Sequence, residues 1–172
     1  DYALNEGGGE LLELSDGRRL VTVAVGEKRV SSLRVRVFGR AGHASLPGRA
    51  DNPVRHAAAA AGRLLDAVAP VVTVPAVERA LATLGAPPPD DPGFGAWAAG
   101  LHPLLGDLLP AMVRLTVTPT GLRTFEPANV IPPYADVVCD CRAVPGQGIE
   151  EIEAHVGAAI GGGIRYELEL LE

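Results

Sequence analysis

Aromatic residues are scarce in this 172-residue sequence: three Phe, three Tyr and one Trp. Its core must be built from Val, Leu, Ile and Ala. Cysteine is scarcer still, with Cys139 and Cys141 alone, two residues apart. At that spacing on a strand both thiols face the same way. Two such neighbours make no disulfide framework, and a Cys-x-Cys metal site would need partners that no further cysteine supplies. They read as buried apolar thiols, which leaves the compartment open, with the cytoplasm as the default expectation. A basic surplus is absent as well. Fifteen Lys and Arg face 21 Asp and Glu, a formal net charge of -6, which argues against a nucleic-acid partner. No apolar run approaches the roughly 18 residues of a membrane span, so no membrane partner is expected, and no signal-peptide pattern is seen. The sequence opens at Asp1 without methionine, which reads as an excised fragment or a processed chain.

What is present is ample apolar material, 47% of residues, too much for a disordered chain. The length suits one domain with a core and an appendage. "RRLVTVAVG" (18–26) is β-branched and predicts a strand. "SSLRVRVFG" (31–39) alternates, with Leu33, Val35 and Val37 against Arg34, Arg36 and Phe38, the pattern of a half-buried strand. A helix is expected from "DNPVRHAAAAAGRLLDAV", with Asn52 as N-cap and Pro53 at the first helical position. Its apolar face reads as Val54, Ala57, Ala58, Ala61, Leu64, Leu65 and Val68. Residues 70–110 are irregular, with a Pro/Gly break at 85–95 between short helices at 75–84 and 94–108. Strands are expected at 112–120 and 135–144. The first should alternate Val113, Leu115 and Val117 against Arg114, Thr116 and Thr118. The second should set Val137, Cys139 and Cys141 against Val138, Asp140 and Arg142. A helix over 148–160 carries Glu150, Glu151 and Glu153 in its first turns, where the dipole favours them, with His155 on its solvated side. "GGG" at 161–163 stops that helix, and a strand at 164–172 ends the sequence.

From residue 31 the order is strand, helix, strand, strand, helix, strand. This predicts an α+β fold of the ferredoxin-like βαββαβ type: a four-stranded antiparallel sheet, two helices on one face, and a helical insertion after the first helix. Fold alone gives no function. Four loop features carry chemistry. Glu6, before three glycines, suits a metal ligand or an anion-binding turn, or else a plain surface turn. His43, in "GRAGHASLP" (39–47), sits among small residues between a strand and a helix. It suits an acid/base group, a metal ligand or an oxyanion donor, or else a loop histidine bonded to its own backbone. Asn129, in "EPANVIPPYAD" (126–136), can donate to a substrate oxygen or close its turn. Arg142, two residues after Asp140 on the same strand face, can clamp a carboxylate bidentately or form a surface ion pair.

Taken in order, "AGHAS", "DNPV", "NVIPPYADV" and "CRAVPG" followed by a helix resemble the lid, or dimerisation, domain of the M20 metallopeptidase family. That family includes aminoacylases, succinyl-diaminopimelate desuccinylases and carboxypeptidases. The resemblance covers nearly the whole sequence and is weakest at 70–110. "ALNEGGG" and "VAVGEK" resemble the segment that leads from the catalytic domain into the lid. The resemblance thus implies residues 1–29 as a segment of the catalytic domain leading into the lid and 30–172 as the lid, with 70–110 inserted. It implies Glu6 as a ligand to one of two zinc ions and His43 as the lid histidine that reaches the partner subunit's active site to hold the substrate carbonyl oxygen. It implies Asn129 near the substrate and Arg142 on a substrate's terminal carboxylate, with Asp140 orienting it.

The family's other zinc ligands and its general-base glutamate have no counterpart in this sequence. Glu6 alone cannot build a site in which each zinc takes about four ligands. The chain by itself is therefore expected to bind no zinc and to be inactive. The resemblance further implies a homodimer through the first lid helix and its neighbouring edge strand, and an N-acyl amino acid or small peptide as substrate. The competing expectation is a stand-alone ferredoxin-like module that binds a small anionic ligand.

Overall fold

The computed structural model describes residues 8–124 and 126–171. The chain forms two compact units. The larger, Arg29–Ala69, Thr116–Ala143 and Gln147 onward, holds a four-stranded antiparallel sheet. Its strands are β3 (Arg29–Phe38), β5 (Thr116–Arg123), β7 (Tyr134–Ala143) and β8 (Tyr166–Leu171), in the order β5-β7-β3-β8. Two helices complete it, α1 (Pro53–Asp66) and α5 (Ile149–Ile160). This is the ferredoxin-like arrangement that the element order predicts: each helix follows one strand of the central pair, and β5 and β8 lie at the edges.

The ladder between β3 and β7 runs unbroken for ten residue pairs, from Arg29↔Ala143 to Phe38↔Tyr134. With side chains alternating across the sheet, that register puts Leu33, Val35 and Val37 on the same face as Val137, Cys139 and Cys141. All six are fully buried. Burial pushes the Cys139 thiol up to about 11 and, helped by the neighbouring acidic groups, the Cys141 thiol up to about 12. Both cysteines are unpaired, protonated and packed as small apolar residues.

Asn52 caps α1 by accepting from the Val54 N–H at 3.0 Å, with Pro53 in the first turn. The buried stripe of this helix is Pro53, Ala57, Ala60 and Leu64. That corrects the expected face: Ala58 is exposed, as are Leu65 and Val68 at 64% and 74%. Alanine at the contact positions lets the helix axis lie close to the strands, and the longer side chains at its C-terminal end are left in solvent. α5 buries Ile152, Val156 and Ile160. Its first turn is closed by the Glu151 carboxylate, which accepts from the Gly148 N–H at 2.7 Å and is held below its ordinary pKa by that bond. His155 is half-buried rather than solvated, and desolvation lowers its pKa. The Arg63 guanidinium donates to the Ile160 carbonyl, where a cation complements the helix C-terminus.

The smaller unit gathers the N-terminal hairpin as far as Lys28, Pro70–Leu115 and Val144–Gly146. Its hairpin pairs β1 (Gly8–Glu13) with β2 (Arg19–Val23). Its helices are α2 (Pro75–Leu84), α3 (Phe94–Leu101) and α4 (Pro103–Met112). The single helix expected at 94–108 is two helices, because His102 leaves helical geometry before Pro103 and its Nδ1 caps α4 by accepting from the Leu104 N–H. Leu12, Leu14, Leu81, Phe94, Leu105 and Leu109 anchor a core of this unit's own. The strand expected from residue 112 begins only at Thr116. Val113 ends α4, and Arg114 bridges to Val71 and donates to the Pro89 carbonyl. Arg114 is thus no part of the polar sheet face.

On the polar face one carboxylate is buried. Asp136 is 2% exposed and lies directly across the ladder from Arg36. The Arg36 guanidinium donates to it twice, at 2.9 and 3.0 Å, and lies 4.1 Å over the Tyr134 ring. The Asp136 bond raises the Arg36 pKa. Removing Arg36 strands a buried charge. Arg36→Met is therefore expected to cost about 3 kcal/mol, the low end for breaking a buried pair. Glu153→Ala, on the exposed side of α5, is expected to stay within about 0.5 kcal/mol of the unmodified chain. Urea unfolding of the two variants checks both figures.

Candidate functional site

His43 and Asn129 are brought together by a two-residue bridge. β4 (Gly42–His43) pairs antiparallel with β6 (Val130–Ile131), with His43 opposite Val130. The Ala44 N–H donates to the Asn129 carbonyl at 3.0 Å. Both residues are exposed. Tight backbone packing sets the His43 loop. A Cβ on Gly39 would overlap the Asp51 carbonyl and come within 2.7 Å of Pro53 Cδ. A Cβ on Gly42 would lie 2.8 Å from the Ala50 Cβ. The small residues of "GRAGHAS" are there because the α1 approach segment folds back over the loop.

The His43 ring is locally fixed. The Ser45 N–H donates to Nδ1 at 3.2 Å, and the Ser45 hydroxyl lies 2.8 Å from the same atom. A backbone N–H can only donate, so Nδ1 carries the lone pair and the neutral ring holds its proton on Nε2. Nε2–H is then an outward-facing donor. The reading as a histidine bonded to its own loop holds for Nδ1. The turn at Asn129 is closed by the backbone, Val130 N–H to Pro127 carbonyl at 2.9 Å, so the amide side chain is not needed for that purpose.

Arg142 lies elsewhere. It pairs with Val30 near one end of the β3–β7 ladder, whereas Phe38 and Tyr134 mark the other. Eight residues at about 3.4 Å each separate Tyr134 from Arg142, or about 27 Å. His43 and Asn129 belong to the Tyr134 end: the Gly39 N–H donates to the Pro133 carbonyl at 2.8 Å. The Arg142 Nε and one Nη donate to the two oxygens of Asp140, at 2.7 and 3.0 Å. That pairing raises the Arg142 pKa and leaves the other edge of an exposed guanidinium facing solvent. Asp140 orients Arg142 as the spacing implies.

Glu6 lies outside the described residues. Among the described residues no three His, Cys, Asp or Glu side chains converge in a way that could hold a metal ion. The implied zinc ligand set does not fit what they supply. Sequence reasoning missed the Ser45 lock, although Ser45 stands two residues after His43. It also missed the Arg36–Asp136 pair, whose members both carry polar parity but whose register no single strand reveals.

The tautomer is directly measurable. Long-range 15N–1H correlation of the chain is expected to show His43 as the Nε2–H form. Ser45→Ala, which removes the hydroxyl, should increase the Nδ1–H population. A dominant Nδ1–H form in the unmodified chain would contradict the assignment.

Comparison with the curated proteins finds no match. Among solved structures, the dipeptidase Dug1p from Saccharomyces cerevisiae superposes with a TM-score of 0.54 at 16% identity, over 95% of this chain and 37% of its own. That supports the fold. Human carnosine dipeptidase 1 aligns at 16% identity and TM-score 0.47, over 87% of this chain and 39% of its own. The aminopeptidase PepT from Bacillus cereus aligns at 10% identity and TM-score 0.48, over 95% and 31%. The chain thus spans about a third of the length of these structures. The sequence matches the peptidase dimerisation domain of the M20 family over residues 25–162, and the chain belongs to that family.

Proposed function

We propose that this chain is the lid of a zinc-dependent M20-type amide hydrolase acting on N-acyl amino acids or small peptides. In this reading residues 1–29 lead out of the catalytic domain, 30–172 form the lid, and 70–110 are its insertion. Glu6 and residues outside this chain would hold the zinc ions of the parent enzyme, and the lid alone is inactive. A cytoplasmic setting agrees with the two unpaired cysteines.

The lid's own contribution is substrate recognition. His43 Nε2–H donates to the carbonyl oxygen of the scissile amide, and its bond strengthens as negative charge develops there. The Asn129 amide is a second donor beside it. Arg142, held by Asp140, takes the terminal carboxylate through its free edge. The observation that carries this reading is the separation of about 27 Å between the two ends of β7, with His43 and Asn129 at one and Arg142 at the other. A substrate of amino-acid or dipeptide size cannot span that distance on one lid. Each site in a dimer therefore takes His43 and Asn129 from one subunit and Arg142 from the other.

Self-association has a surface to use. β5 is an edge strand beneath α1, and Leu65 on α1, Val68 just beyond it and Leu122 on β5 are exposed. Unpaired strand edges template pairing, and a twofold contact needs one self-complementary patch. The β-bulge between Pro119 and Gly121 interrupts that edge, so the apolar side chains have to carry much of the contact.

The test is subunit complementation in the full-length parent. His43→Ala and Arg142→Ala dimers are each expected to lose most activity. Mixed by unfolding and refolding at equal amounts, half the dimers are heterodimers with one intact site, giving about a quarter of unmodified activity. No recovery, with heterodimers verified by mass, contradicts the split-site reading.

A further inference from the structure

A cavity of about 320 Å³ opens at the end of the sheet, lined by Phe38, Arg40, Asp51, His56 and Arg165, with Gly39 in its wall. Its lining includes none of His43, Asn129 and Arg142. Its charge is unusual for this chain. Two guanidinium groups meet one carboxylate there, a local positive surplus in a protein of net charge -6.

The carboxylate is already engaged. Asp51 Oδ1 accepts from His56 Nε2 at 2.7 Å. The backbones of Asp51 and Arg40 bond each other in both directions, at 2.8 and 3.0 Å. The arginines are less committed. The Arg40 Nε donates to the Arg49 carbonyl at 3.3 Å, a long bond, and among the described residues neither Nη group has an acceptor. The Arg165 guanidinium lies 5.0 Å over the Phe38 ring. Among the described residues it has no hydrogen-bond acceptor. Stacking fixes its plane without consuming its N–H groups. The wall at Gly39 is bare backbone, since a Cβ there would overlap the Asp51 carbonyl. Two oriented forks around an open hollow match the planar, multi-oxygen geometry of a carboxylate or phosphate. The volume is at the small end of ligand sites, enough for one such group with a short tail.

We propose that this cavity is a binding site for a small oxyanion, a carboxylate or a phosphate, held by Arg40 and Arg165. The site is separate from Arg142 and does not depend on the hydrolase reading.

Amide 15N–1H spectra of the 172-residue chain, titrated with inorganic phosphate or with succinate at constant ionic strength, test it. Saturable shifts at Gly39, Arg40, His56 and Arg165 are expected with at least one probe. The stronger probe tells phosphate from carboxylate. Arg165→Gln is expected to weaken that binding about tenfold, the loss of one charged hydrogen bond, and Arg123→Gln to leave it unchanged. Should Arg165→Gln lower the thermal midpoint, Arg40→Gln is read in its place. Non-saturating shifts with both probes, or binding unaffected by the Arg165 and Arg40 changes, would overturn the proposal.

Discussion

The pairing of β3 with β7 is the constraint on which the larger unit depends. Ten consecutive residue pairs share one register, and a slip of one residue would turn every buried side chain to the other face. The register is specified twice. On the covered face Leu33, Val35 and Val37 meet Val137, Cys139 and Cys141 beneath the helices. On the open face Arg36 meets Asp136, and that pair closes only when the two residues lie opposite each other. An apolar layer sets the parity. A buried ion pair, costly when mismatched, sets the register itself.

The same ladder decides what the loops can do. It is long enough to hold the His43 loop and Arg142 at opposite ends and too stiff to bring them together. At one end Gly39 and Gly42 let the segment before α1 pass within contact of the strand backbone, which pins the loop bearing His43. The β4–β6 bridge then places Asn129 beside it. At the other end Asp140 holds Arg142 in plane. Neither group faces the buried core, so both are free to meet surfaces that belong to other parts of an assembly.

Much of this was legible in the sequence. Alternation in 31–39 and 135–144 gives both central strands and their buried faces, because period two is a local property. The Asn52–Pro53 start of α1 is equally local. The α1 face was misread at Ala58, Leu65 and Val68, because a poly-Ala helix leaves its orientation to whichever side packs closest. The β5 start was misread because Val113–Leu115 continue the alternation of Val117 while belonging to the smaller unit. The candidate residues His43, Asn129 and Arg142 were visible as types and as an order. Their separation along β7 was not, since it follows from pairing between distant segments.

The distance from the His43 loop to Arg142 within one subunit is the quantity on which the account turns. Double electron–electron resonance on the chain labelled at introduced cysteines, Ala44→Cys and Arg142→Cys, measures it. The native thiols, pushed up to about 11 and about 12 by burial, stay unlabelled. Dilution with unlabelled chain isolates the intramolecular pair. The account predicts a single distance beyond about 20 Å, as a ladder of this length requires. A distance below about 15 Å would put both groups at one site and contradict it.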